Sequence, residues 1–228
     1  METIELKPIA HIETDFGTKF GIPRQAGLVE ELKGRIVFEP EFRREEALRG
    51  IDAFTHIWLI WQFSENAGKE WTPTVRPPRL GGNTRMGVWA TRSPFRPNAL
   101  GLSCVRLEGL ERDGERGMTL LVAGADLMNG TPIFDIKPYI PYSDSIPDAG
   151  EGFAPRPQEA LEVILPPEAA AMLPKEKREA LKSVLRCDPR PHYQKDPERV
   201  YGMEFAGKNV RFRVEDETVY VLSVEDVK

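Results

Sequence analysis

The sequence predicts a mainly β protein, with a β-barrel domain over residues 1–150 and a small α+β domain over residues 158–228. Three observations point to it. Seven short runs rich in Val, Ile, Leu and aromatic residues occupy the first two thirds, each bounded by Gly, Pro or charged turn residues. No regular helical pattern alternates with them, which argues against a parallel α/β sheet and for a barrel or sandwich. The last third instead combines proline-started helical runs with a hairpin. A length of 228 residues suits one domain of about 150 residues plus an appendage, or one large β-rich domain. A domain of ~150 residues buries roughly 68–70% of its unfolded surface, so it needs neither a disulfide nor a structural metal.

In chain order, the expected strands are Leu6–Ile12, Arg35–Phe38, Phe54–Phe63, Met86–Arg92, Leu100–Leu110, Met118–Asp126 and Phe134–Ile136. Pro40–Arg49 is the one helical pattern among them, with Phe42 and Leu48 as a sparse apolar face. From 144 to 157 the chain is turn-rich and lacks an apolar period, and residues 151–157 read as the linker. Ala160–Leu165 then resembles a strand. Pro166 and Pro167 precede a helical run over Glu168–Leu185, which Pro174 divides so that the second helix covers Lys175–Leu185. Val210–Val214 and Val219–Val224 form a hairpin across Glu215-Asp216-Glu217.

The net charge of −5 hides an uneven distribution. Residues 1–70 carry nine basic against thirteen acidic side chains, and residues 108–150 carry three against eight. Between them, Trp71 to Leu107 holds Arg76, Arg79, Arg85, Arg92, Arg96 and Arg106 and no acidic residue. Such a block is an electrostatic footprint for an anion. Arginine's planar fork grips phosphate or carboxylate with two bonds. The competing reading is that these arginines pair with the acidic flanks.

Several classes fall away. Cys104 and Cys187 are too few for a disulfide framework or a zinc site, and His11, His56 and His192 lack metal-ligand spacing, so no metal is expected. METIELKPIA has no signal-peptide pattern, and no apolar run approaches the ~18 residues of a membrane span. A reducing, cytoplasmic home is expected. Neither GxGxxG after a strand nor GxxxxGK[ST] occurs, and Ser103 has no nucleophile elbow around it. His56 reads as a satisfied core histidine, and Trp58, Trp61 and Phe63 as barrel filling.

Three stretches are denser in special residues than packing demands. In Ile22-Pro23-Arg24-Gln25-Ala26-Gly27, proline fixes the backbone while Arg24 and Gln25 present a cation and an amide. Residues 90–103 hold Arg92 and Arg96 in a proline-stiffened loop suited to an anionic ligand. Residues 126–142 place Asp126, Asp135 and Lys137 among apolar neighbours, where an isolated charge is costly. Asp135 and Lys137 share a strand face at period two, as a structural ion pair or as a proton-transfer or ligand-orienting pair.

PRQAG, FTHIWLIW, RPPRLGGNTRMGVWATRSPFRPNALGLS and DLMNGTPIFDIKPYIPYSDSIPDA closely resemble the TrmO (TsaA/YaeB-like) family of S-adenosylmethionine-dependent tRNA methyltransferases. The resemblance runs from about Lys7 to Ala149 and resumes at Cys187-Asp188-Pro189-Arg190-Pro191-His192-Tyr193. It implies a β-barrel methyltransferase, a homodimer, and transfer of a methyl group to N6 of threonylcarbamoyladenosine (t6A) at position 37 of the tRNA anticodon loop, giving m6t6A. The cofactor residues it implies are Pro23, Arg24, Gln25, Ser64, Glu65, Arg92, Leu102 and Ala123-Gly124-Ala125-Asp126. Here the sequence departs from the family, which carries histidine where Ser64 stands. The implied chemistry is in-line displacement. Asp135 and Asp126 are the candidate bases, and Lys137 and Tyr139 would orient the modified base. Arg76, Arg79, Arg85 and Arg96 are the candidate substrate cations. Two other readings stay open at this level: a non-catalytic module binding S-adenosylmethionine or RNA, and a methyltransferase for a small anionic substrate.

Overall fold

The computed structural model describes residues 3–155, 160–190 and 196–227. Arg156 and Pro157 of the expected linker, the first two residues of the expected tail domain, and Pro191, His192 and Tyr193 of the last family motif lie outside the described residues.

The first domain holds β1 (Ala10–Glu13), β2 (Lys33–Phe38), β3 (His56–Gln62), β4 (Thr74–Val75), β5 (Met86–Gly87), β6 (Leu100–Arg112), β7 (Met118–Ala123) and β8 (Thr131–Pro138). Six of these close into a barrel in the order β1-β2-β7-β6-β3-β8, with every neighbouring pair antiparallel, while β4 and β5 form a separate two-stranded ribbon. Closure removes the unpaired edges an open sheet would present. Side chains alternate in and out along β3, so that Ile57, Leu59 and Trp61 enter the core. The register sets Trp61 opposite Gly101 and Leu59 opposite Ser103. A Cβ on Gly101 would overlap the Trp61 ring, so this glycine makes room for the indole.

Four expectations differ from the structure. Pro40–Arg49 forms two 3₁₀ turns, Pro40–Phe42 and Glu45–Leu48, with no fully buried residue. Phe42 and Leu48 offer too little apolar face to offset the cost of helix nucleation. Met86–Arg92 forms β5 and a 3₁₀ turn, Val88–Ala90. The Val88 N–H donates to Pro73 O at 3.0 Å, while Val88 O and Thr91 O accept from the Arg96 guanidinium, so these groups leave the ladder. Met118–Asp126 ends as a strand at Ala123 because Gly124 turns the chain at φ 77°. His56, expected in the core, stands on the outer barrel face with its ring edge-on to Tyr139 at 6.2 Å.

After the barrel come α1 (Pro141–Asp144), β9 (Glu162–Ile164), α2 (Pro167–Ala171), α3 (Lys175–Arg186), β10 (Tyr201–Phe205), β11 (Lys208–Glu215) and β12 (Thr218–Asp226). Pro174 divides the two longer helices as expected, and β11 and β12 are the hairpin. The sheet order is β10-β11-β12-β9, with β9 parallel to β12. Strand β10 has no counterpart among the expected strands, although its alternation is plain: Tyr201, Met203 and Phe205 are buried and Gly202 is exposed.

The second core is not made by the tail alone. Phe16, Val29 and Leu32, from the connection between β1 and β2, are buried with Leu181, Leu185, Phe205 and Phe212. Polar contacts clamp the same connection. Lys177 pairs with Asp15 at 2.7 Å, Ala206 N–H donates to Asp15 O at 2.8 Å, and Ser183 donates to Glu31 at 3.0 Å. The loop holding Pro23, Arg24 and Gln25 is thereby suspended between two cores.

Candidate active site

Trp61 and Ser103 face each other inside the barrel end, and this pairing builds the site. Trp61 is 7% exposed and Ser103 3%. Such groups need internal hydrogen-bond partners. The Trp61 Nε1–H donates to Ser103 Oγ at 3.0 Å, and Ser103 Oγ–H donates to Asp126 Oδ1 at 2.6 Å. Burial pushes the Asp126 carboxyl above its ordinary value of 3.8, while the Ser103 hydroxyl, backbone groups of Asp126 and Ala26, and Arg92 pull it down. The net direction is up.

Gly124 brings Asp126 there. Its N–H donates to Leu32 O at 2.9 Å and its O accepts from Gly27 N–H at 2.8 Å, tying the end of β7 to the Pro23–Gln25 loop. Ala123 and Ala125 are buried and hold this turn by packing. In the loop, Arg24 Nη2 donates to Arg190 O at 3.0 Å, and Gln25 Nε2 donates to Arg24 O at 2.5 Å. Arg92 donates to Gln25 Oε1. Burial lowers the Arg24 pKa against the opposing pull of Asp188.

A cavity of about 460 Å³ opens at this point, within the range of small-molecule sites. Pro23, Arg24, Gln25, Ser64, Glu65, Arg92, Leu102 and Asp126 all line it, joined by Trp61 and Phe63. Ser64 and Glu65 lie on a 3₁₀ turn after β3, and Glu65 pairs with Lys19 at 3.1 Å. The structure thus gathers four separated stretches around one cavity: residues 23–25, 61–65, 92–102 and Asp126. Sequence reasoning assigned Trp61 and Phe63 to filling and set Ser103 aside. The period-two alternation of β3 and β6 was the signal that could have paired Trp61 with Ser103.

A second, more open cavity of about 1490 Å³ adjoins the first and shares Arg24, Gln25, Thr91, Arg92 and Pro94 with it. Arg76, Arg79 and Arg85 line it. Among the described residues, Arg106 alone of the arginine block ion-pairs with acidic side chains: Glu108 at 2.9 Å and Glu30 at 3.9 Å. Arg96 lines the first cavity with its guanidinium donating to Val88 O at 3.2 Å and Thr91 O at 2.6 Å. Asp135, Lys137 and Tyr139 line neither cavity. Lys137 pairs with Asp135 at 3.0 Å in a solvated setting, and Tyr139 packs on Trp58 with ring centroids 5.9 Å apart.

Residues 11–145 match the tRNA-methyltransferase O N-terminal domain, and residues 158–227 match the TrmO C-terminal domain. The chain belongs to the TrmO family. A tRNA (adenine(37)-N6)-methyltransferase of Escherichia coli K12 is 38% identical over 234 residues, covering 99% of both chains. One from Eikenella corrodens is 51% identical over 72% of this chain and 92% of its own. A crystal structure of TrmO superposes with a TM-score of 0.80 at 33% identity, covering 98% of this chain and 100% of the other. A TrmO structure from Pseudomonas aeruginosa gives 0.79 at 32% identity, covering 98% of this chain and 99% of its own. As a TrmO family member, this protein is an S-adenosylmethionine-dependent methyltransferase. No helix among the described residues is long and apolar enough to cross a membrane.

Proposed function

We propose that this protein transfers a methyl group to N6 of t6A at position 37 of the tRNA anticodon loop, giving m6t6A. The observation that carries the reading is the wall shared by the two cavities, Arg24, Gln25, Thr91, Arg92 and Pro94. A small methyl donor in the narrow cavity and a polyanion in the wide one meet at that wall. The relatives' activity on adenosine 37 of tRNA supports the acceptor.

The chemistry of the narrow cavity fits S-adenosylmethionine. Its cations Arg24 and Arg92 suit an α-carboxylate, its Glu65 carboxylate suits an ammonium, and Trp61, Phe63 and Leu102 supply apolar walls. The bound cofactor supplies an electrophilic methyl group. N6 of t6A carries an acyl group, which acidifies its N–H and weakens its lone pair, so a proton acceptor is needed. Asp126 fills that role in this reading. Its carboxylate is oriented by the Ser103 hydroxyl, which Trp61 holds in turn, and its raised pKa makes it a better acceptor than a solvated aspartate.

The free carboxylate of the threonylcarbamoyl group needs a cation, and Arg76, Arg79 and Arg85 supply it from the wide cavity. Arg96 contributes by bracing the loop that carries Arg92. The active unit proposed is a cytoplasmic homodimer. Tyr142 is 91% exposed and, with Ile146, gives the proline-rich stretch after β8 an uncovered apolar surface. Asp135, Lys137 and Tyr139 lie outside both cavities, so their orienting role requires the paired subunit to bring that face to the substrate. The test is mass spectrometry of nucleosides after incubating the protein and S-adenosylmethionine with t6A-modified and unmodified tRNA side by side. Methylation of the t6A form is expected, since a site built for the modification leaves polar groups unpaired without it. Equal rates on both would contradict the reading.

A further inference from the structure

Three large aromatic side chains stand exposed around the arginine-lined cavity, where a folded protein gains nothing from them. Trp89 is 68% exposed, Trp71 46% and Phe95 44%. Scattered exposed aromatics need no explanation, but a cluster does. Trp71 and Trp89 are stacked, with ring centroids 6.1 Å apart and planes at 23°. The Arg96 guanidinium carbon lies 5.3 Å from the centroid of the Trp89 ring. Neither neighbour covers the indole.

The backbone beneath is fixed. β4 pairs with β5, Thr72 N–H donates to Phe95 O at 3.3 Å, and Val88 N–H donates to Pro73 O at 3.0 Å. Arg96 is committed to two backbone carbonyls and cannot swing away freely. Trp89 and Phe95 line the cavity beside Arg76, Arg79 and Arg85, and that cavity meets the methyl-transfer cavity at Arg92. Rigid aromatic faces flanked by arginines are what single-stranded nucleic acid requires: the cations track phosphates while bases stack on the rings.

We propose that Trp89 is a stacking platform for an anticodon-loop base other than the target adenine, with Trp71 and Arg96 holding the indole in place. The proposal rests on the RNA reading above and adds to it a residue that selects the pose of the loop. A splayed loop base laid on Trp89 fixes the distance between that base and the adenosine presented to Asp126. Recognition of this kind suits unstacked loop bases, whose faces are free.

The test uses the full chain, t6A-containing anticodon stem-loops carrying one abasic nucleotide at each loop position in turn, and the variants Trp89→Ala and Trp89→Phe. Stacking contributes about 1–3 kcal/mol per base, so Trp89→Ala should raise the RNA Kd by roughly 5- to 150-fold. Trp89→Phe should keep most of the affinity. The S-adenosylmethionine Kd and the melting temperature should not move. One abasic position should weaken binding to the wild-type protein while making no difference to Trp89→Ala. An RNA Kd for Trp89→Ala within twofold of wild type would overturn the proposal. So would a Trp89→Phe variant as weak as Trp89→Ala, or the absence of any abasic position coupled to residue 89. Binding reads the stacking separately from chemistry. Should the wild type bind these RNAs without producing m6t6A, the substrate reading fails while the stacking result stands on its own.

Discussion

Around the narrow cavity, polar side chains are committed to one another: Trp61 to Ser103, Ser103 to Asp126, Arg92 to Gln25, and Glu65 to Lys19. Across the shared wall, Arg76, Arg79 and Arg85 have no ion-pair partner among the described carboxylates, although Arg79 donates to Pro155 O at 2.5 Å and Arg85 to Thr74 Oγ1 at 3.4 Å. Under the proposed function, the contrast follows from what each cavity would receive. A small ligand gains most from groups already locked in place, because the ordering cost is met during folding. A polyanion brings its own charges, so cations left without carboxylate partners keep their full attraction for phosphate. Locking and leaving free are opposite solutions to one problem, and Arg92 stands where they meet.

The sharpest break of the locked side is Asp126→Asn. Removing a general base costs about 10²–10⁴ in rate, so methyl transfer at saturating substrates should fall by that order. The pH dependence carries the same test. Because the folded pKa lies above the unfolded value of 3.8, the native state holds more protons than the unfolded state between the two, and stability falls as pH rises through that window. Asp126→Asn should therefore flatten that pH dependence in thermal unfolding. It should also abolish the acidic limb of the rate profile, which in the wild type is expected to be displaced upward from that of a solvated aspartate.

Arg92→Ala comes next. Removing a charge-assisted bond to a ligand costs about 1.5–3 kcal/mol, roughly 10- to 150-fold in S-adenosylmethionine Kd by calorimetry, with the fold intact by circular dichroism.

Gly101→Ala is an indirect break. The added methyl must push the Trp61 ring, which is buried and lines the cavity. Overpacking of this kind costs about 1–3 kcal/mol, visible as a lower melting temperature together with weaker cofactor binding. Arg106→Ala should have the smallest effect. It belongs to the same arginine block, yet Glu108 and Glu30 hold it outside both cavities. Stability should change by no more than about 1 kcal/mol, and neither ligand's affinity should move.

How much of the molecule is legible in its sequence depends on which physics governs each residue. The barrel strands are readable as strands because their composition is local. The inward face of β3 is not readable: its run is apolar on both sides, so His56 and Trp58 read as core although the register turns them outward. The 3₁₀ turns at Pro40–Leu48 are not, since whether a charged stretch becomes a helix depends on an apolar surface supplied by other segments. Pro23, Arg24 and Gln25 are visible as a dense, proline-stiffened motif. Their suspension between two cores is not, because Phe16, Val29 and Leu32 bury against Leu181 and Leu185 of a helix far later in the chain. Asp126 is visible as a charge among apolar residues, whereas its partnership with Ser103 requires the barrel register. The six arginines look alike in sequence. Only the fold separates Arg106, paired on the surface, from Arg96, bound to carbonyls, from Arg92 on the shared wall, and from Arg76, Arg79 and Arg85, which line only the wide cavity.

The division of labour between the cavities is tested most directly by titrating both ligands into one variant, Arg76→Ala/Arg79→Ala/Arg85→Ala. S-adenosylmethionine should bind as it does to the wild type. The affinity for t6A-containing tRNA should fall, and the slope of log K against log salt should shrink by about one for each phosphate that is no longer neutralised. Unchanged tRNA affinity with an unchanged salt slope, or a cofactor Kd that weakens along with tRNA binding, would contradict the account.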